Sequence, residues 1–360
     1  MRRLNRYIGA TIFGSVSAAL FVLLSLDMIS AVVEQVGELK GDYTFFEALK
    51  YVALTVPSRI YEWVPLSALV GCLFGLGSLA SSSELVVMRS AGVSVARISW
   101  FVTKPVLMFI IAGVLLGEYV TPVTDQLAES RRALAQGEKK ALQSRRGLWS
   151  REGNEFMHFN AVLPNGVLYG ITRYHFDQQG QLLSSSFIER ATYQGATESR
   201  DSYWLEEQGQ ITEFSGGSDE VRRWQFSTRR WLTQISPGLL NVLVLSPDAL
   251  SIRSLYSYAS YLVDQGWESD EYWLAFWQKV LRPLAVLSLV LIGISFIFGP
   301  LRQVTMGFRI FTGIVIGSAF DICQGLLGPS SLVFGFSPLL AVLIPIVACL
   351  VVGTLMLRNR

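Results

Sequence analysis

The sequence predicts an integral membrane α-helical protein with six transmembrane helices, three before and three after an inserted all-β domain. Of its 360 residues 51% are hydrophobic and only 16% are charged, whereas a soluble chain usually carries about 25% charged residues. The apolar residues are concentrated at the two ends of the chain, and the middle alternates apolar with polar residues. These observations place the two ends in a bilayer and the middle in water.

The helical spans follow from apolar length. A bilayer core about 30 Å thick needs roughly 20 apolar residues in a helix. The first span follows a basic segment like that of a signal peptide, but its apolar run exceeds the roughly 7–15 residues of an h-region and ends without a clear cleavage site. We therefore expect an uncleaved first helix. The predicted spans are residues 8–33, 58–80, 98–121, 276–298, 310–327 and 338–357.

Charge in the short loops predicts the orientation, because Lys and Arg favour the cytoplasmic side. One side carries a single acid, Glu84, among many arginines, and the other has Lys40 and Lys50 among four acids. Both termini are expected in the cytoplasm and the middle outside it. The predicted domains are 1–121, with a short helix within 81–97, then 122–275, and 276–360. The arginines on the cytoplasmic side are Arg2, Arg3, Arg6, Arg89, Arg97, Arg302, Arg309, Arg358 and Arg360.

The middle of the chain predicts an all-β sandwich or barrel of about 100 residues. Strand-like segments rich in aromatic and β-branched residues lie at 154–159, 167–176, 186–194, 203–207 and 221–227. Turn residues at 164–166 and 177–180 separate the first of them. Helical connectors are expected at 124–141 and 246–263.

The sequence has no motif for enzyme chemistry. It contains no G-x-x-x-x-G-K-[ST] loop for ATP, no G-x-S-x-G and no H-E-x-x-H. The two histidines, His158 and His175, lie in strand-like runs without ligand partners. The three cysteines fall inside predicted spans, where small apolar fillers are expected. We expect a non-catalytic chain that itself holds no cofactor or metal.

Residues 83–94 form a short amphipathic segment between the second and third spans. On a helical projection Leu85, Met88 and Gly92 share one face, flanked by Glu84 and Arg89. For a transporter without a nucleotide site, the partner that docks on a cytoplasmic helix is often a separate ATPase. Composition alone leaves open a helix that simply lies on the bilayer.

Basic residues also cluster near the outer ends of the first three spans, where they suit an anionic headgroup. The alternative is ordinary solvated charge. Lys104 and Glu118 lie near span ends and can reach water. The acids Asp27 and Asp321 lie deeper and are expected to face a cavity or another chain. The basic residues are Lys40, Arg59, Arg131, Arg132, Lys139, Lys140, Arg145 and Arg146.

Several motifs together resemble the LptF/LptG family of lipopolysaccharide export permeases, and the G-type subunits more than the F-type ones. The similar segments are RYIG at 6–9, SELVVMRSAG at 83–92, GLW at 147–149, PDALSI at 247–252 and SFIFGPLR at 295–302. With the layout of spans and the length, the resemblance covers the whole chain. It implies a β-jellyroll as the external domain, in the periplasm of a Gram-negative bacterium.

The same resemblance implies the partners. The permease would pair with an F-type permease in the inner membrane, above two copies of a cytoplasmic ATPase that bind ATP and Mg, and beside a single-span periplasmic adaptor. Lipopolysaccharide would enter from the outer leaflet of the inner membrane and pass to the adaptor's jellyroll. One rival is a lipoprotein-releasing or mechanotransmission permease, which typically has four spans. Another is an ion-coupled secondary transporter, which should show inverted repeats and polar breaks at mid-membrane; neither is visible.

Site residues are carried over from the family position by position. Glu84 would contact a basic residue of the ATPase. Substrate phosphates would be bound by Arg132, which matches a family cation, by Arg131 and Lys40 near positions where the match loosens, and by Arg59 of the basic cluster. Glu129 stands where relatives have arginine, and Ala31, Gly37 and Glu38 occupy positions that can be basic. The remaining docking residues would be Leu85, Val86, Met88, Arg89 and Gly92.

Overall fold

The computed structural model describes residues 2–37, 39, 43–135, 148–163, 166–195, 203–214, 221–233, 235, 246–264, 268–299 and 304–358. Within these residues six helices are long and apolar enough to cross a membrane. Each contains one predicted span, which confirms the membrane-helical fold class. A separate antiparallel sheet confirms the β domain. The jellyroll topology, the 3+3 arrangement and the domain boundaries remain predictions.

The helices before the sheet are α1 (Arg2–Gly37), α2 (Phe45–Leu54), α3 (Val56–Ser81), α4 (Glu84–Ser90), α5 (Val95–Leu115), a π-helical turn (Leu116–Val120) and α6 (Thr121–Ala135). Those after it are a 3-10 turn (Pro247–Ala249), α7 (Ile252–Asp264), α8 (Asp270–Phe298), α9 (Met306–Phe334) and α10 (Pro338–Arg358). The chain forms two compact units. The helical unit comprises Met1–Ala31, Thr55–Pro122 and Pro247–Arg360, and the β unit comprises Val32–Leu54 and Val123–Ser246.

In the helical unit α3 is the central helix. In its most apolar stretch 78% of the residues are buried, against 11% for α1. The two helices approach closely at Gly71, where an added Cβ would lie 2.5 Å from the Cα of Val16. Small residues commonly permit such contacts between membrane helices. Because only 11% of the most apolar stretch of α1 is buried, most of this helix faces away from the unit's own core.

Among the described residues of the β unit, six strands form one antiparallel sheet in sequence order. They are β1 (Leu148–Glu152), β2 (Glu155–Leu163), β3 (Val167–Phe176), β4 (Leu182–Gln194), β5 (Tyr203–Phe214) and β6 (Val221–Trp231). One face packs around Trp204, which is fully buried and donates from Nε1 to the carbonyl oxygen of Ile235 at 2.8 Å. The other apolar residues of this core are Met157, Phe159, Leu168, Ile171, Ile188, Ala191 and Trp231.

Strict alternation of buried and exposed residues is interrupted along one line that crosses the sheet, so different alternate positions point inward on its two sides. In β5 the buried positions are 204 and 206 before this line but 209 and 211 after it. Gly170 and Gln208 on the line have φ of 61° and 54°, and a Cβ on Gly170 would lie 2.4 Å from the side chain of Asn160. The positive φ of these two residues accompanies the loss of strict alternation. The register aligns Asn160, Gly170, Glu189, Gln208 and Ser227 along this line.

Candidate functional site

The short helix α4 uses part of its apolar surface to attach itself to the helical unit. Leu85 and Met88 are only 4% and 9% exposed and belong to the unit's core. Val86 and Val87 are 48% and 65% exposed. Burial of the first two fixes the orientation of the helix, so the two valines project outward.

Gly92 lies at the end of this helix. The N–H of Val93 donates to the carbonyl oxygen of Met88 at 3.1 Å, and the N–H of Gly92 donates to that of Arg89 at 3.0 Å. This is a Schellman motif, whose left-handed position favours glycine. Gly92 has φ of 83°, so its place in the family motif has a structural reason.

An open cavity of about 390 Å³ lies beside α4. Arg89 stands at this cavity with its guanidinium carbon 6.0 Å from the ring centroid of Phe298. Glu84 accepts a hydrogen bond of 2.9 Å from Ser82 Oγ, and its side chain also interacts with the Tyr7 hydroxyl. The cavity is therefore mixed in character, because the arginine stands among mostly apolar lining residues. It is lined by Ala80, Leu85, Val86, Arg89, Ser90, Ile297 and Phe298.

Arg59 of α3 is paired with Asp27 of α1. Nη1 of the arginine lies 2.6 Å from Oδ2 of the aspartate, and both side chains are 21% exposed. Arg59 Nε also donates to Thr55 Oγ1 at 3.3 Å. Asp27 thus meets a cation of its own chain. Asp321 is exposed on α9.

Arg132 belongs to a second arginine–carboxylate contact, in the β unit. Its Nη1 lies 3.8 Å from Oε1 of Glu129, which also accepts a hydrogen bond of 2.8 Å from Tyr51. Burial, followed by the negative charge of Glu129, raises the pKa of Tyr51. The phenol therefore stays protonated and donates at neutral pH. Arg131 is exposed.

The other predicted cations lie outside the described residues. These are Lys40 at the end of the first span and Lys139, Lys140, Arg145 and Arg146 after α6. Of the four predicted phosphate-binding residues, the structure thus places Arg59, Arg131 and Arg132. The first lies in the helical unit and the other two in the β unit.

Several charges bond to backbone atoms, which sequence inspection did not predict. Arg309, expected in a loop, lies in α9 with 2% exposure and donates from Nη1 to the carbonyl oxygen of Gly77 at 2.6 Å. Glu118, expected to reach water, accepts from the N–H of Ile252 at 2.7 Å. The exposed Val87 was missed as well. Its position between two predicted docking residues was the available signal.

The chain is similar to known proteins over nearly its whole length. The family model for the lipopolysaccharide export system permease LptF/LptG matches residues 6–359. The chain is 34% identical over 358 residues to the lipopolysaccharide export system permease protein LptG of Escherichia coli strain K12, covering 99% of this chain and 98% of the relative. It is 36% identical over 343 residues to LptG of Haemophilus influenzae, covering 95% and 94%.

These full-length matches confirm the resemblance and its G-type character, since both relatives are LptG proteins. Together with the six apolar helices, they make the chain a multi-pass membrane permease. The chain belongs to the LptF/LptG family of lipopolysaccharide export system permeases.

Proposed function

We propose that this chain is the G-type transmembrane subunit of an ATP-driven exporter that extracts lipopolysaccharide from the outer leaflet of the bacterial inner membrane. It pairs with an F-type permease, and two copies of a cytoplasmic ATPase bind and hydrolyse ATP. Both termini lie in the cytoplasm and the β domain in the periplasm. The chain itself performs no catalysis.

The observation that carries this proposal is the surface of α4. Its buried residues Leu85 and Met88 are committed to the core, so these two side chains are not available to the bilayer. The exposed Val86 and Val87, together with Arg89 at an open cavity of about 390 Å³, suit a protein partner. Glu84 is the acid that meets a basic residue of the ATPase, and Arg89 contributes to the same surface.

The substrate side uses cations. Lipid A has phosphates and several acyl chains, so it fits an apolar surface rimmed by basic groups. Arg59, Arg131, Arg132 and Lys40 are the proposed phosphate ligands, and arginine can bind phosphate in a bidentate manner. Release requires a state of lower substrate affinity, which ATP binding to the partner selects.

The β domain passes lipopolysaccharide onward to the adaptor. The described strands β1 and β6 lie at the two edges of the sheet, and an edge strand can pair with a strand of another chain. We infer that the sheet is part of a β-jellyroll whose edge continues into that of the single-span adaptor.

The test is co-purification with the ATPase. Glu84→Ala should reduce the yield of ATPase recovered with the permease several-fold, while the permease itself stays folded. Glu189→Ala removes an exposed acid from the β unit and serves as the matched control. An unchanged ATPase yield with Glu84→Ala would count against the docking role.

A further inference from the structure

The Asp27–Arg59 pair puts a carboxylate of this chain on one of the proposed phosphate ligands. The pair is short, at 2.6 Å, and each side chain is 21% exposed. We propose that Asp27 occupies the phosphate position on Arg59 and so selects doubly charged phosphomonoesters over singly charged phosphodiesters. This rests on the proposed function, in which lipopolysaccharide is the substrate.

Arg59 keeps an anchor that does not depend on Asp27. Its Nε donates to Oγ1 of Thr55, one turn earlier in the chain, at 3.3 Å. Asp27 belongs to the neighbouring helix α1. When Asp27 leaves, the bond to Thr55 still orients the guanidinium, so a ligand anion meets a cation that is already positioned.

The surroundings of Asp27 suit an amphiphile. On α1 the side chains of Phe21, Leu26 and Ile29 are 72%, 59% and 63% exposed within the chain. These apolar groups lie within two turns of Asp27 on the same helix. Acyl chains can therefore contact α1 while the headgroup reaches Arg59.

The local charges set the selectivity. Asp27 and Arg59 interact electrostatically with Glu62, which also interacts with Arg282 and Asp248, so three carboxylates surround two guanidinium groups. A ligand anion reaches Arg59 only by displacing Asp27, and an unpaired charge in such a site is unfavourable. A phosphodiester merely exchanges one negative charge for another.

A phosphomonoester gains more binding energy than a phosphodiester when it replaces Asp27 on Arg59. It carries about −1.5 to −2 charges at pH 7 and three acceptor oxygens, so it binds the guanidinium more strongly than a carboxylate does. Lipid A has phosphomonoesters, whereas the surrounding phosphatidylglycerol is a diester. Asp27 thus weakens the binding of the competing phosphodiester. Discrimination against a competing ligand is a common source of specificity.

The experiment is lipid competition on the purified full-length permease complex in detergent, read by native mass spectrometry. Equimolar bisphosphorylated lipid A and phosphatidylglycerol are offered to the wild type, Asp27→Asn, Asp27→Glu and Arg59→Gln. We expect Asp27→Asn to retain lipid A and to bind phosphatidylglycerol about tenfold better, because its arginine is no longer occupied. Asp27→Glu keeps the pair and the wild-type preference, and Arg59→Gln binds several-fold less lipid A because one of the proposed phosphate ligands is missing.

Three results would overturn the inference. Each leaves the proposed function supported, provided that the wild-type complex binds lipid A. In the first, Asp27→Asn leaves the ratio of the two lipids unchanged although size-exclusion chromatography shows an intact complex. In the second, Asp27→Asn binds less lipid A, as Arg59→Gln does, which makes Asp27 a folding residue only. In the third, Arg59→Gln binds lipid A normally. A wild-type complex that takes up no lipid A would instead contradict the proposed function itself, and the inference with it.

Discussion

Arg173 of β3 and Glu206 of β5 form a buried ion pair inside the β unit, with Nη2 and Oε1 2.7 Å apart. Glu206 is fully buried, Arg173 is 3% exposed, and the guanidinium lies 4.8 Å from the ring centroid of Trp231. Arg229 contacts the other carboxylate oxygen at 3.5 Å. An ionic contact thus occupies part of a face that otherwise packs apolar residues.

Removing one partner should destabilise the β unit strongly. Glu206→Ala leaves the buried Arg173 with only a longer contact, 3.7 Å from its Nε to Oε1 of Glu155. Removal of one partner from a buried ion pair typically costs about 3–5 kcal/mol. Thermal unfolding of the full chain, followed by tryptophan fluorescence, measures the loss. The matched control is Glu207→Ala, because Glu207 faces Arg190 at 3.8 Å in a more exposed pair and such pairs contribute about 0–1 kcal/mol. Equal losses for the two variants would contradict the prediction.

The same carboxylate should make stability depend on pH. Burial raises the pKa of Glu206 above its ordinary value of 4.5, although Arg173 and Arg229 act in the opposite direction. The native state therefore binds this proton more tightly than the unfolded state, so stability falls as pH rises from 4.5 through the raised native pKa. Relative to Glu206→Gln, the wild type should lose unfolding temperature across that interval. A constant difference would argue against the raised pKa.

Glu118 should hold the start of α7. Its carboxylate accepts the N–H of Ile252 at 2.7 Å, and loss of an N-terminal cap costs about 0.5–2 kcal/mol. Glu118→Ala should speed hydrogen exchange of the first amides of α7, and Glu118→Gln should do so less because it keeps an acceptor. Glu268→Ala, at an exposed acid before α8, should leave that exchange unchanged.

On α4, exposed residues should affect ATPase docking and buried residues should affect folding. Val87 is 65% exposed, so Val87→Glu should leave the permease folded but reduce ATPase co-purification several-fold. Leu85 is 4% exposed, and Leu85→Ala should destabilise the permease itself by about 2–5 kcal/mol. Normal ATPase recovery with Val87→Glu would remove the exposed valine from the docking surface.

Charge reversal at Arg132 should weaken contact with substrate. Arg132→Glu should lower photocrosslinking to lipopolysaccharide several-fold at matched expression, because it replaces a proposed phosphate ligand with a second acid beside Glu129. Arg253→Glu reverses an exposed cation on α7 and is the control. Equal crosslinking in both variants would take Arg132 out of the substrate site.

The helical spans were predictable because apolar length in a bilayer is a strong constraint. The strands of the sheet were less predictable from the sequence. The prediction ended β5 at residue 207, whereas the strand continues to Phe214, because the inward positions change at Gln208. Strand β1 has only five residues, too few for alternation to stand out.

Charge partners could not be predicted, because they depend on which helices meet. Asp27 and Arg59 are 32 positions apart, and nothing in their local sequences relates them. The bond from Arg309 to Gly77 spans 232 positions. Helix α4 was located by its amphipathic pattern between two spans, but which of its faces is exposed depends on the burial of Leu85 and Met88.

The ion pair between the first two spans also has a consequence for biogenesis. A charged side chain on a membrane-spanning helix is costly without a partner, and Asp27 has already been synthesised when Arg59 leaves the ribosome. The two helices can therefore neutralise each other as they leave the translocon, before the rest of the unit exists. When α1 and α3 insert together as a hairpin, the nascent chain does not expose an isolated charge to lipid.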